Sequence, residues 1–161
     1  MINMSAGQTM MSTSCLRELS AQMRTTIYYP WYWDLEEEVL DMLKRLMNTE
    51  GDVLLLAGSG TYGIEAGMRS LLEPGDRVVV VNGGVFGQVA ADLLRIIGCE
   101  PLEVKVPYGA AVDVDEVARA LDEPGVRALF VVHVETSTGT VFPLSELGRL
   151  ARDRGVFFMV D

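Results

Sequence analysis

The chain has 161 residues, 49% of them hydrophobic, and a formal net charge of -10 at pH 7. That length and apolar content suit one domain with a real core, and the acidic balance argues against a nucleic-acid partner. No apolar run is long enough to span a membrane and the start Met1-Ile2-Asn3-Met4-Ser5 lacks the basic and apolar regions of a signal peptide, so a cytoplasmic protein is expected.

Residues 1–33 have little periodicity, and a stretch rich in Met, Ser and Thr leads into Tyr28-Tyr29-Pro30-Trp31-Tyr32-Trp33. They read as an extended arm whose aromatics pack on a core or on a partner subunit. Asp34-Leu35-Glu36-Glu37 has the form of a capping box and predicts a helix with Leu35, Val39, Met42, Leu43, Leu46 and Met47 on one face, stopped near Gly51.

The apolar run Val53 to Ala57 predicts a strand, which breaks at Gly58-Ser59-Gly60-Thr61 and restarts with helical spacing at Tyr62-Gly63-Ile64-Glu65. Small residues at such a turn leave the first N–H groups of the helix unobstructed, and their partial positive charge suits a phosphate. Ser59 and Thr61 add hydroxyl donors. This helix is expected to turn Ile64, Met68, Leu71 and Leu72 inward. The turn Glu73-Pro74-Gly75-Asp76 follows, and then a strand from Arg77 to Val81.

Asn82-Gly83-Gly84 leads to Phe86 and a helix carrying Val89, Leu93, Leu94 and Ile97, ended by Gly98. From Pro101 to Val106 the chain alternates Leu102, Val104 and Val106 with Glu103 and Lys105, the period of a half-exposed strand with both charges outward. Asp113-Val114-Asp115-Glu116 is a second capping box, for a helix through Leu121. Ala128 to Val132 is a buried strand, and Glu135-Thr136-Ser137-Thr138-Gly139 a polar loop. A helix over Ser145 to Arg154 and a strand over Val156 to Val160 bring the chain to Asp161.

Strands apolar on both faces alternate with helices, which predicts an α/β fold: a mostly parallel sheet with helices on both faces. Ligands of such sheets bind beyond the carboxyl ends of the strands. Those ends carry Gly58 to Thr61, Asn82 to Phe86, His133 to Thr138 and Asp161. GSGTYG also satisfies the G-x-G-x-x-G dinucleotide pattern, but Asn82 stands where a ribose-binding acid is expected, so the phosphate of another cofactor and a nucleotide both remain readings, beside that of a non-catalytic interaction module. His133 reads as a strand-end residue without a catalytic role. Cys15 and Cys99 lack metal-ligand spacing and are expected to be free thiols, with no metal site.

The segments GSGTYGIEAG, LEPGDRVVVVNGGVFG, HVETSTGTVFPL and FFMVD, in this order and spacing, resemble the class V aminotransferases, pyridoxal-phosphate enzymes of fold type I, in the alanine-glyoxylate, serine-glyoxylate and pyridoxamine-pyruvate group. The resemblance implies that residues 34–161 are part of the large, cofactor-binding domain of a transaminase. In it Ser59, Gly60 and Thr61 would hold the phosphate of pyridoxal 5'-phosphate, Phe86 would stack on the ring, Thr136 would lie near its phenolic oxygen, and Asp161 would pair with the pyridine nitrogen as the catalytic carboxylate. Ala6-Gly7-Gln8-Thr9 stands where the family has a Gly-Pro-Gly-Pro run near the substrate. The resemblance further implies small amino acid and 2-oxo acid substrates, a homodimer or a separate C-terminal half as partner, and a Schiff-base lysine beyond Asp161. Lys44 on a polar helix face and Lys105 on an exposed strand face are not expected to replace it.

Overall fold

In the computed structural model, residues 10–21 and 27–161 are described. The chain separates into two compact units, residues 1–57 and 58–161. Ala6 to Thr9 lie outside the described residues.

In the first unit, helices replace much of the expected extended arm. Helix α1 (Thr13–Ser20) begins at Ser12, whose hydroxyl accepts from the Cys15 N–H at 3.2 Å. Helix α2 (Pro30–Met47) starts before the expected capping box, with Tyr29 at its N-cap. Pro30 explains the earlier start: its fixed φ suits the first turn, where its missing N–H would be unpaired anyway. Pro30 to Trp33 of the aromatic cluster are therefore the first turn of a helix, with Tyr32 and Trp33 packed edge to face at 5.9 Å. The helix ends at Asn48, which takes the left-handed conformation (φ 49°), rather than at Gly51. Residues 53–57 do not form the expected strand, and Leu54, Leu55 and Leu56 are exposed. Apolar runs encode extended backbone, but a strand exists only where a neighbour takes up its hydrogen bonds, and none among the described residues does.

The second unit is built on a four-stranded sheet of β1 (Arg77–Asn82), β2 (Glu100–Lys105), β3 (Val126–Val131) and β6 (Phe157–Val160), in the order β2-β1-β3-β6, with every pair parallel. Strand β1 is central, and Val78, Val79, Val80 and Val81 are fully buried. Burying such a side chain contributes roughly 2 kcal/mol. Odd and even positions serve opposite faces. Val78 and Val80 pack with Ala128 and Phe130 against Met68 of helix α3 (Gly60–Leu71), its C-cap Leu72, and Ala90 and Leu94 of helix α4 (Val85–Ile96). Val79 and Val81 pack with Leu129 and Val131 against Val117 and Leu121 of helix α5 (Val114–Leu121) and Leu147 and Ala151 of helix α6 (Leu144–Asp153). The expected α/β architecture, with helices on both faces of a parallel sheet, is thus present.

Two local readings need correction. Leu71 is 40% exposed rather than inward, so α3 rests on Met68 and Leu72. Glu103 is not a solvated charge on β2: it accepts from the Asn82 amide at 2.6 Å and is bonded by Arg95 of α4, so the helix covers the face that alternation marked as outer. Strand alternation distinguishes two faces but cannot say which charge will be covered by a neighbouring helix.

Of the two expected capping boxes, the second supplies an N-cap, with the Asp113 carboxylate accepting from the Asp115 N–H at 2.9 Å at the start of α5. Asp113→Ala is expected to lower the unfolding free energy by about 1 kcal/mol, whereas Asp113→Asn, an equally good cap, should preserve it; urea unfolding midpoints measure both.

Candidate functional site

Strand order decides where the loops meet. The chain runs from β1 outward to β2, then crosses back to β3 and on to β6, so the connections after β1 and β3 diverge to opposite faces from neighbouring strand ends. Phe86 follows β1, Thr136 follows β3 and Asp161 follows β6, and these strands are consecutive in the sheet. A pocket of about 230 Å³ opens at this edge, lined by Gly60, Thr61, Ile64, Phe86, Thr136 and Asp161. The structure therefore brings together five of the residues singled out in the sequence. Ser59 stands beside them as the N-cap of α3.

Two helices begin at this rim, and they differ in what their first N–H groups meet. At α3 the Ser59 hydroxyl accepts from the Tyr62 N–H at 3.2 Å, its carbonyl accepts from Gly63, and the first turn carries no acidic residue. The N–H groups of Gly60 and Thr61 have no acceptor among the described residues. These unpaired donors at the positive end of a helix suit an anion.

At α4 the corresponding place is already filled. Gly84, its N-cap, offers no side chain, and the helix is capped from the loop after β3 instead. Glu135 is fully buried, and its carboxylate accepts from the N–H groups of Phe86 at 3.3 Å and Gly87 at 3.1 Å. The same carboxylate accepts from the Ser137 N–H at 3.2 Å and hydroxyl at 2.7 Å, while the Ser137 Oγ accepts from the Val85 N–H at 3.0 Å. Gly84 permits this approach: a Cβ there would fall 2.3 Å from Glu135 Cγ. The helix end that follows the Gly-Gly pair thus binds the protein's own carboxylate, and α3 is left with unpaired N–H donors.

The charges of the pocket follow from this arrangement. Burial pushes the Glu135 carboxyl up, but the Ser137 hydroxyl and the N–H groups of Gly87, Ser137 and Phe86 outweigh it and hold the group below the ordinary carboxylate range. Asp161 goes the other way: desolvation first, then the negative charge of Glu135, raise it. The residues lining the pocket include no lysine or arginine that would offset that rise. A carboxylate so placed favours a cationic group of a ligand. Asp161 is held by its backbone, its N–H donating to Val131 at 3.0 Å and its carbonyl accepting from His133 at 2.8 Å. His133 thus serves as a strand-end residue through its main chain.

Asn82 is 9% exposed, and its amide donates to Gln88 at 3.0 Å as well as to Glu103. It is committed to structure where a dinucleotide site would present a free carboxylate to a ribose. Cys15 and Cys99 are both free, the first exposed and the second buried.

The sequence reading passed over Glu135, taking residues 135–139 together as a polar loop. In the structure Glu135 closes a hairpin of β4 (Val134–Glu135) and β5 (Thr140–Val141) and turns inward. A usable signal existed: one acidic residue just after an apolar strand, with a side-chain-free Gly83-Gly84 pair at the neighbouring strand end.

A family model for class V aminotransferases matches residues 31–161. The chain belongs to that family. It is 31% identical to the pyridoxamine–pyruvate transaminase of Mesorhizobium japonicum over 99% of this chain and 41% of that protein. It is also 31% identical to an uncharacterized aminotransferase of Methanocaldococcus jannaschii over 81% of this chain and 34% of the relative. Among solved structures, the ureidoglycine–glyoxylate aminotransferase of Bacillus subtilis matches with a TM-score of 0.92 at 26% identity, over 98% of this chain and 41% of that one. The chain thus spans 34% to 41% of the length of these class V relatives. Its sheet and helices have the fold of the fold type I aminotransferases.

Glu135→Gln is expected to destabilise the protein at pH 7 by about 1 to 3 kcal/mol, because buried N–H donors then face an amide in place of a carboxylate. An acid whose pKa is lowered by folding stabilises the fold above its unfolded value, and that contribution disappears as pH falls through the lower folded value. The gap between wild type and variant should therefore close only on acidification below about pH 4. Asp161, raised by folding, acts in the opposite sense; because part of its rise comes from the Glu135 charge, Glu135→Gln relieves that part and narrows the gap in urea midpoints at neutral pH.

Proposed function

We propose that this chain is the cofactor-binding part of a pyridoxal-phosphate-dependent transaminase that moves an amino group from a small amino donor to glyoxylate or pyruvate. The observation that carries the reading is the meeting of Gly60, Thr61, Phe86, Thr136 and Asp161 around one pocket at the carboxyl ends of the strands. The pyruvate and glyoxylate named for the family relatives support the choice of acceptor.

The residues fit that cofactor. The free N–H groups of Gly60 and Thr61, with the hydroxyls of Ser59 and Thr61, suit its phosphate. Phe86, half-buried at the start of α4, offers a ring face to the pyridine, and the exposed Thr136 offers a hydroxyl to its phenolic oxygen. When bound, pyridoxal phosphate supplies an electron sink for negative charge formed at the donor's α carbon. Asp161 holds a proton at the pyridine nitrogen, and the raised proton affinity of this carboxylate beside Glu135 fits a site in which that cationic nitrogen is its missing counter-charge.

Neither lysine of the chain serves as the Schiff-base residue in this reading. Lys44 lies 4.0 Å from Asp52 within the first unit, and Lys105 is an exposed residue at the end of strand β2. The activated lysine is assigned to residues outside this chain.

Two experiments test the reading. Asp161→Asn in the full-length protein should lower the transamination rate by about a hundredfold or more while the cofactor stays bound, and Ser59→Ala with Thr61→Ala should instead weaken cofactor retention on dialysis. An Asp161→Asn enzyme with normal turnover would overturn the assignment. Borohydride treatment of the 161-residue chain with pyridoxal phosphate should give no stoichiometric label at Lys44 or Lys105 on peptide mapping, and no turnover.

A further inference from the structure

The start of α4 and the loop after β3 are joined through one buried side chain, and each contributes a residue to the pocket. The N–H of Phe86 is itself a donor to Glu135, and Thr136 lies between Glu135 and Ser137, whose N–H and hydroxyl donate to the same carboxylate. Ser137 completes the link by accepting from Val85. Gly84 lies against the carboxylate with no room for a Cβ, and a Cβ on Gly87 would fall 2.9 Å from Asn82 Cα, so the helix start is wedged against the end of β1 as well. No hydrogen bond of Glu135 or Ser137 reaches α3.

We propose that Glu135, with Ser137, is a positioning residue that sets Phe86 and Thr136 across the pocket from one another and so builds the half of the site that meets the cofactor ring, leaving the anion cradle on α3 independent of it. The inference rests on the cofactor reading above and deepens it. The site is two devices. On α3, free N–H groups wait for an anion, while on α4 the equivalent groups are consumed by an internal anion whose task is to fix the aromatic and the hydroxyl. A buried carboxylate suits that task because charge-assisted bonds to several N–H donors are short and directional. Once desolvated it cannot exchange them for water without cost.

The test separates the two halves in the full-length protein. Dissociation constants for inorganic phosphate and for pyridoxal phosphate are measured by equilibrium dialysis for the wild type, Glu135→Gln and Ser137→Ala. Glu135→Gln is expected to weaken pyridoxal phosphate by about tenfold or more with phosphate affinity unchanged. Ser137→Ala, which keeps the carboxylate and removes one donor, should act in the same direction with a smaller factor. It keeps the test open should the first variant fold poorly. A merely structural role would move both ligands together. Equal losses for both ligands, or no loss for pyridoxal phosphate in either variant, would overturn the inference. Wild-type protein that binds neither ligand would overturn the cofactor reading and this inference with it. Wild-type binding of both with an unaltered Glu135→Gln would overturn this inference alone.

Discussion

Parallel pairing on both sides of β1 is the constraint from which the rest of the second unit follows. Strands that run the same way bring all their carboxyl ends to one edge, and each return must pass over a face of the sheet as a helix. With Val78 to Val81 buried on both sides, β1 cannot lie at an edge, and β2 and β3 take its flanks. The order β2-β1-β3-β6 then makes the loops after β1, β3 and β6 neighbours, although Phe86, Thr136 and Asp161 are far apart in the chain. The pocket is a consequence of this topology before it is a consequence of any side chain.

Within the pocket, the competition of two helix ends for negative charge determines what the site can hold. Both α3 and α4 begin at the rim with glycine near the first turn, and by dipole and exposed donors either could take an anion. A carboxylate supplied by the chain itself satisfies one and leaves the other. The internal charge also acts outward: it lies near enough to Asp161 to raise that group's proton affinity. One buried acid thereby closes a helix end, joins two loops and biases the carboxylate that lines the pocket.

Much of this was legible in the sequence because it rests on short-range rules. Glycine and hydroxyl residues before an amphipathic run signal a helix start with free N–H groups, and Ser59 caps α3 as that pattern requires. Asp113 caps α5 for the same reason, and runs of buried valine give the strands of a doubly covered sheet. The stretches Gly58 to Thr61, Asn82 to Phe86, His133 to Thr138 and Asp161 could be placed at one rim because parallel strands send their carboxyl ends there, and the resemblance to class V aminotransferases picked out Phe86, Thr136 and Asp161 within them.

Tertiary structure decided what depends on partners distant in sequence. The run from Val53 to Ala57 has the composition of a strand, but hydrogen-bonded neighbours make a strand and composition does not supply them. Glu103 alternates as an exposed residue until α4 brings Arg95 over it beside Asn82. Glu135 is the plainest case: by type and neighbours it belongs to a solvated loop, and only the meeting of that loop with the start of α4 turns it into a buried carboxylate with four donors around it. The sequence by itself determined most elements of the second unit, the glycine turns and the stretches at the rim, because periodicity and capping act over a few residues. Which helix end stays open to a ligand was decided only by the folded chain, because a contact between residues some fifty positions apart is set by strand order and leaves no local pattern to read.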